Sequence, residues 1–157
     1  MGFHVFNISQ QVRRNFHQLL QQKFQSNVNF DWEYFDDETT RRDVSNCSDP
    51  EFQKFITMVM RLAGISNNKK NTFHYVKYNI TDNYTIGKHH DSCENTIVIF
   101  LIKDPKISEE TFIVEGETVN EDYWKKGGLL MTNESLHEII INGTGKREVF
   151  CIFNSIN

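Results

Sequence analysis

Hydrophobic and polar positions follow a mainly helical period early in this chain and an extended one later. Ile8, Val12, Phe16, Leu19, Leu20 and Phe24 recur at steps of three and four, with Gln, Arg and Lys in the gaps. That spacing predicts an amphipathic helix from about Ser9 to Gln25 with one buried stripe. Phe30, Trp32 and Tyr34 then alternate with Asp and Glu, which predicts a short strand. Phe35 to Asn46 is charged, with Asp36-Asp37-Glu38 and Arg41-Arg42-Asp43. It reads as a solvated loop, or as a mobile loop that contacts a substrate, since binding loops are commonly carried on rigid scaffolds. Ser48-Asp49-Pro50-Glu51 reads as a helix start with Ser48 at the cap, Pro50 in the first turn and Glu51 three residues on. Phe52, Phe55, Ile56, Val59, Leu62 and Ala63 supply the apolar face, and Gly64 fits a C-terminal cap.

From Thr72 the pattern turns extended. Strands are predicted over Thr72 to Ile80, Tyr84 to Asp91, Asn95 to Ile102, Thr111 to Val114, Leu129 to Thr132, Leu136 to Ile141 and Arg147 to Phe153, separated by Gly, Asn, Asp or Pro. Helices first and strands after predict a mainly β protein with N-terminal helices (α+β): an antiparallel sandwich or barrel with helices on one side. No repeat or low-complexity linker divides the chain. One domain over 1–157 is expected, with helical support at about 8–64 and a β core at about 72–153.

Composition narrows the class. The 157 residues are 38% hydrophobic and 13% aromatic, which is globular and not disordered. A net charge of −4 gives no electrostatic pull toward nucleic acid. The apolar run near 96–102 is too short to span a bilayer, and residues 1–7 lack the basic and apolar regions of a signal peptide. No membrane association is expected. Cys47, Cys93 and Cys151 show no paired spacing, so reduced thiols and a cytoplasmic location are expected.

Chemistry concentrates at His89-His90-Asp91. In an extended chain His89 and Asp91 share a face and His90 points away. One imidazole and one carboxylate begin a metal site, and a second imidazole from a neighbouring strand would close it. His137 opens the apolar strand Leu136 to Ile141. Alone it reads as a core histidine; with His89 and Asp91 it completes two imidazoles and one carboxylate, the facial triad of non-haem Fe(II) oxygenases. Zn and Mn accept the same ligands. Asn142-Gly143-Thr144-Gly145 reads as a hairpin turn. A three-residue loop with Gly145 left-handed sets Ile141 opposite Arg147 and puts Arg147 on the face of His137. A two- or four-residue loop puts Lys146 there instead. A guanidinium behind a metal is a fork for a carboxylate.

His89-x-Asp91, then His137, then a basic residue ten positions on, resembles the Fe(II)- and 2-oxoglutarate-dependent dioxygenases. Gly127-Gly128-Leu129-Leu130-Met131-Thr132-Asn133-Glu134-Ser135-Leu136-His137-Glu138-Ile139 is similar to that family's glycine, apolar strand, turn and Leu-His-Glu-Val order, and Arg147 to Phe153 is similar to its last core strand. The likeness covers roughly Thr72 to Phe153 and looks nearest to the prolyl-4-hydroxylase-like branch. It implies a distorted double-stranded β-helix (jelly roll, cupin-like). His89, Asp91 and His137 would hold Fe(II), 2-oxoglutarate would chelate it with Arg147 on the far carboxylate, O2 would react there, and ascorbate would serve as reductant. Tyr78 or Tyr84 would be the branch's tyrosine near the co-substrate. The implied reaction is hydroxylation of a protein or peptide side chain, with proline first by analogy. The sequence departs from the family at Lys106-Ile107-Ser108-Glu109-Glu110, where a glycine-rich segment is usual. Two alternatives stand beside this. A nucleic-acid demethylase of the same superfamily usually carries a second Arg shortly after the first, which is absent after Arg147. A catalytically silent β-sandwich would be a binding module. Cys93, Tyr123 and Trp124 lie near these segments and read as ordinary packing.

Overall fold

The computed structural model describes residues 2–26, 33–36, 39–45, 49–67 and 70–156. In chain order they form β1 (Phe3–Asn7), α1 (Gln10–Ser26), β2 (Glu33–Asp36), β3 (Thr40–Ser45), α2 (Pro50–Ala63), β4 (Asn71–Ile80), β5 (Tyr84–His89), β6 (Cys93–Lys103), β7 (Ile107–Val114), β8 (Glu117–Thr118), α3 (Tyr123–Lys126), β9 (Gly127–Thr132), β10 (His137–Gly143) and β11 (Gly145–Ile156). The strands make a seven-stranded sheet, β1-β9-β6-β11-β4-β3-β2, and a four-stranded sheet, β5-β10-β7-β8. All pairings are antiparallel.

The large sheet is apolar on both faces, and alternation along its central strands separates two cores. Phe150 and Ile152 of β11, Phe73 and Tyr75 of β4, and Ile97 and Ile99 of β6 pack against Phe16 and Leu20 of α1 and Phe52, Ile56 and Met60 of α2. Phe150 is fully buried, with Phe16 edge-on at 4.9 Å and Phe52 edge-on at 5.5 Å between ring centroids. A side chain so enclosed contributes about 1.5–3 kcal/mol. The opposite face, with Val149 of β11, Val76 and Tyr78 of β4 and Val98 and Phe100 of β6, meets Phe112, Val114, Ile139 and Ile141 of the small sheet. The cavity described below opens within this second core.

Several expectations change. The charged stretch read as a loop, Phe35 to Asn46, holds the end of β2 and all of β3. β3 pairs along β4, from Thr40 opposite Tyr78 to Ser45 opposite Phe73. Its charges are tolerated because buried Asp43 faces Arg41 at 3.3 Å and Lys77 at 3.8 Å, while Arg42 lies toward the cavity. The expected strand around Phe30 and Trp32 lies outside the described residues; Tyr34 is in β2. The cap of α2 is Asp49, not Ser48: its carboxylate accepts from the Phe52 amide at 3.1 Å, Pro50 follows at the first helical position, and Gly64 closes the helix at φ 76°. β1, β8 and the one-turn α3 were not anticipated.

The largest correction concerns Asn142 to Gly145. β10 and β11 do not pair with each other: β10 lies between β5 and β7, and β11 between β6 and β4. The segment is a crossing between sheets, not a hairpin. Gly143 (φ 117°) and Gly145 (φ 125°) make the crossing where it presses on the β6–β7 connection. A Cβ on Gly143 would run into the Lys106 carbonyl and come within 2.8 Å of Ile107 Cα.

Candidate metal centre

His89 ends β5, and His137 begins β10 directly opposite it. Paired residues in an antiparallel ladder point to the same face, so the imidazoles meet, with ring centroids 4.2 Å apart. Asp91 follows at the crossing to β6, where Ser92 takes φ 55°. Its Oδ1 stands 3.4 Å from His89 Nε2 and its Oδ2 3.3 Å from His137 Nε2. The three ligand atoms lie within 4.8 Å of one another.

The surrounding contacts orient them. His89 Nδ1 donates to the Gly87 carbonyl at 2.7 Å, and His137 Nδ1 to the Ser135 carbonyl at 2.9 Å. Both Nε2 atoms are thereby turned toward Asp91. Thr96 Oγ1 donates to Asp91 Oδ2 at 2.9 Å. A first-row dication binds imidazole nitrogen and carboxylate oxygen at about 2.1 Å, so ligands at right angles stand about 3.0 Å apart. The two histidine–aspartate separations are close to this, and the donor set fits an open-faced ferrous site. Burial disfavours the Asp91 carboxylate, yet bonds from His89 and Thr96 and the nearby His137 hold its pKa below the usual range. The His89 pKa is raised by its bond to Asp91, whereas burial lowers that of His137.

The triad sits at one end of a cavity of about 440 Å³ lined by Tyr78, Val98, Phe112, Ile139, Arg147 and Val149 among others. Arg147 is 1% exposed. The sequence placed it correctly on the cavity side, but through a hairpin that does not exist; its neighbours are Tyr78 on β4 and Lys103 on β6. Lys146 is exposed and outside the cavity lining. Tyr78 lines the cavity with its ring 5.0 Å from Arg147 Cζ, and burial pushes its phenol up to about 12. Tyr84 is not in the lining; its hydroxyl contacts Thr40 Oγ1 at 3.3 Å. Cys93 is buried, bonded to the Asn95 carbonyl and near Thr96.

Known proteins share this fold. The chain is similar to a Pseudomonas putida prolyl-4-hydroxylase, at 8% identity and a TM-score of 0.59, covering 99% of this chain and 91% of that one. It is similar to a Trichoplax adhaerens prolyl hydroxylase in complex with a hypoxia-inducible-factor oxygen degradation domain peptide fragment, at 13% identity and a TM-score of 0.62, covering 98% and 83%. A Burkholderia pseudomallei oxidoreductase of the 2OG-Fe(II) oxygenase family matches at 15% identity and a TM-score of 0.51, covering 90% and 82%. The chain has the 2-oxoglutarate–Fe(II) oxygenase fold. No family model and no curated protein matches the sequence.

Sequence reasoning missed Thr96 and, at the inner end, Glu110. The Glu110 carboxylate accepts Arg147 Nε at 2.6 Å and Nη2 at 3.1 Å, together with the Tyr123 hydroxyl at 2.8 Å and Trp124 Nε1 at 3.0 Å. Tyr123 and Trp124 therefore stand behind Arg147. A signal existed: Phe112 and Val114 point inward from β7, and Glu110 has the same parity.

Proposed function

We propose that this chain is an Fe(II)- and 2-oxoglutarate-dependent dioxygenase that hydroxylates a protein side chain, with prolyl the first residue to test. The observation that carries the reading is the convergence of His89, Asp91 and His137 at one end of a cavity whose other end is a buried guanidinium. The neighbour that holds a peptide supports a peptide substrate. Residues 1–157 act as one catalytic domain, and the free thiols of Cys93 and Cys151 suit a cytoplasmic setting. Among the described residues no helix is long and apolar enough to cross a membrane.

Bound Fe(II), with 2-oxoglutarate and O2, supplies the oxidising power for hydroxylation, with succinate and carbon dioxide as co-products. The chain's own residues do the rest. His89 and His137 present Nε2 because their Nδ1 protons are committed to carbonyls, and Thr96 fixes the rotation of Asp91. Val98, Phe112, Ile139 and Val149 make the interior apolar, which strengthens charge interactions there. Arg147 Nη1 is buried without a hydrogen-bond partner among the described residues, in a residue that lines the cavity, and a carboxylate is the ligand it fits. Half-exposed His89 leaves the metal end open to an incoming side chain.

The test is succinate formation from 2-oxoglutarate with Fe(II), ascorbate and O2, for wild type, Asp91→Ala and Arg147→Ala, with proline-containing peptides added. Succinate that Asp91→Ala abolishes and Arg147→Ala weakens through 2-oxoglutarate affinity is the expected result. Failure of wild type to bind either Fe(II) or 2-oxoglutarate would sink the proposal and leave a binding module.

A further inference from the structure

We infer that Glu110 is a positioning residue that sets co-substrate selectivity: it fills the two-pronged side of Arg147 with the chain's own carboxylate and leaves a single nitrogen, Nη1, for the ligand. This rests on the dioxygenase reading and departs from it at one point, the strength with which a far carboxylate is held.

A guanidinium offers five N–H donors in a fixed fork, and a carboxylate takes two of them side by side. Here that pairing is already made, by Nε with Glu110 Oε1 and Nη2 with Oε2. Both side chains are 1% exposed. Glu110 does not swing aside freely, because Tyr123 and Trp124 also donate to Oε2. The rings of Tyr78 and Trp124 stand 5.0 and 5.5 Å from Arg147 Cζ and restrict its movement. What remains is Nη1, the buried side-chain atom without a partner among the described residues. A dianionic 2-oxo acid reaching this end meets one nitrogen of a neutralised pair, with a second carboxylate close behind it. Attraction to its far charge is correspondingly weak, since like charge nearby offsets the guanidinium.

Two acids isolate this end of the site. 2-Oxoglutarate and 2-oxopentanoate share the chelating group and differ only in a carboxylate or a methyl group at the far end, so their affinity ratio cancels the metal end. The protein loaded with Mn(II) is titrated calorimetrically with each. Wild type is expected to prefer 2-oxoglutarate by less than about tenfold, below what a full charge-assisted fork supplies. Glu110→Gln, which keeps the size and removes the charge, is expected to widen the ratio by about tenfold or more. Glu110→Ala also vacates the space, and 2-oxoglutarate should raise its Tm further than that of wild type. A wild-type preference of tenfold or more, or a ratio unchanged in either folded variant, overturns the inference while leaving the dioxygenase reading intact. Mn(II) binding with no binding of either acid overturns both.

Discussion

The two ends of the cavity are built on opposite principles. At the metal end three polar groups converge around a side left open: two imidazoles and one carboxylate, with His89 41% exposed at the side chain. Their donor set suits a cation from outside. At the inner end every charge is already answered. Arg147 and Glu110 are buried as a pair, and burial, which opposes ionisation of both, is outweighed by their contact: Glu110 is held below the usual carboxylate range and Arg147 is raised. One end is prepared for a partner from outside, and the other is nearly complete without one. On the proposed function, ligand recognition is expected to be dominated by the metal end and folding stability to be more sensitive at the inner end.

Breaking the inner pair gives the largest expected effect. Arg147→Met leaves the Glu110 carboxylate buried with only Tyr123 and Trp124, and should lower the unfolding free energy by about 3–5 kcal/mol in urea titrations. Adding Glu110→Gln removes the orphan charge but keeps an acceptor for those two donors, and should restore most of the loss. No recovery in the double variant would mean that Arg147 acts through its packing between two rings and not through its charge.

The same contrast explains what could be read from the chain alone. His89 and Asp91 lie two residues apart, so their shared face follows from strand geometry, and His137 stands out as a polar residue opening an apolar strand. Two of the three ligands were therefore local in sequence, and the third was marked by its own strand. Arg147 was placed on the correct face for a reason the structure rejects. Both faces of β11 are apolar, so alternation could not assign them, and the glycines that suggested a hairpin serve a crossing between sheets. Its partner Glu110 is 37 residues away on β7, and nothing in local spacing joins the two. The helices were legible because one stripe of each is buried. β3 was not, because its charges are met by Arg41, Lys77 and Asp43 across neighbouring positions, a pattern that reads as solvated when seen one residue at a time.

Thr96 sharpens the metal end by a smaller step. Its hydroxyl fixes Asp91 Oδ2 from β6, and Thr96→Val keeps the shape while removing that bond. Mn(II) or Fe(II) affinity should fall by about 10- to 100-fold, as for other contacts that support a ligand, while unfolding shifts by only about 0.5–1.5 kcal/mol. Calorimetric metal titration beside urea unfolding separates the two. Equal losses in both would make Thr96 a packing residue, and the orientation of Asp91 would then belong to the backbone turn at Ser92.

The smallest effect is one of pH, and it separates the ends by their titration ranges. His74 lines the cavity on the metal side, with its ring 4.5 Å from that of Phe153. Burial first, then the charge of Arg42, lowers its pKa to about 4. Between about pH 6.5 and 4 the unfolded chain takes a proton that folded His74 refuses, so stability falls as pH falls through that window and is unaffected above it. Partial exposure reduces the loss to on the order of 1–2 kcal/mol. Glu110, whose folded pKa is depressed, stabilises above its unfolded value and loses that contribution only as pH falls through its lowered one. His74→Leu should therefore flatten the stability curve between pH 6.5 and 4 and leave the steeper loss at lower pH in place. A variant whose urea midpoint tracks wild type throughout that window would show that His74 takes up its proton in the folded cavity, and that the metal end is wetter than its burial implies.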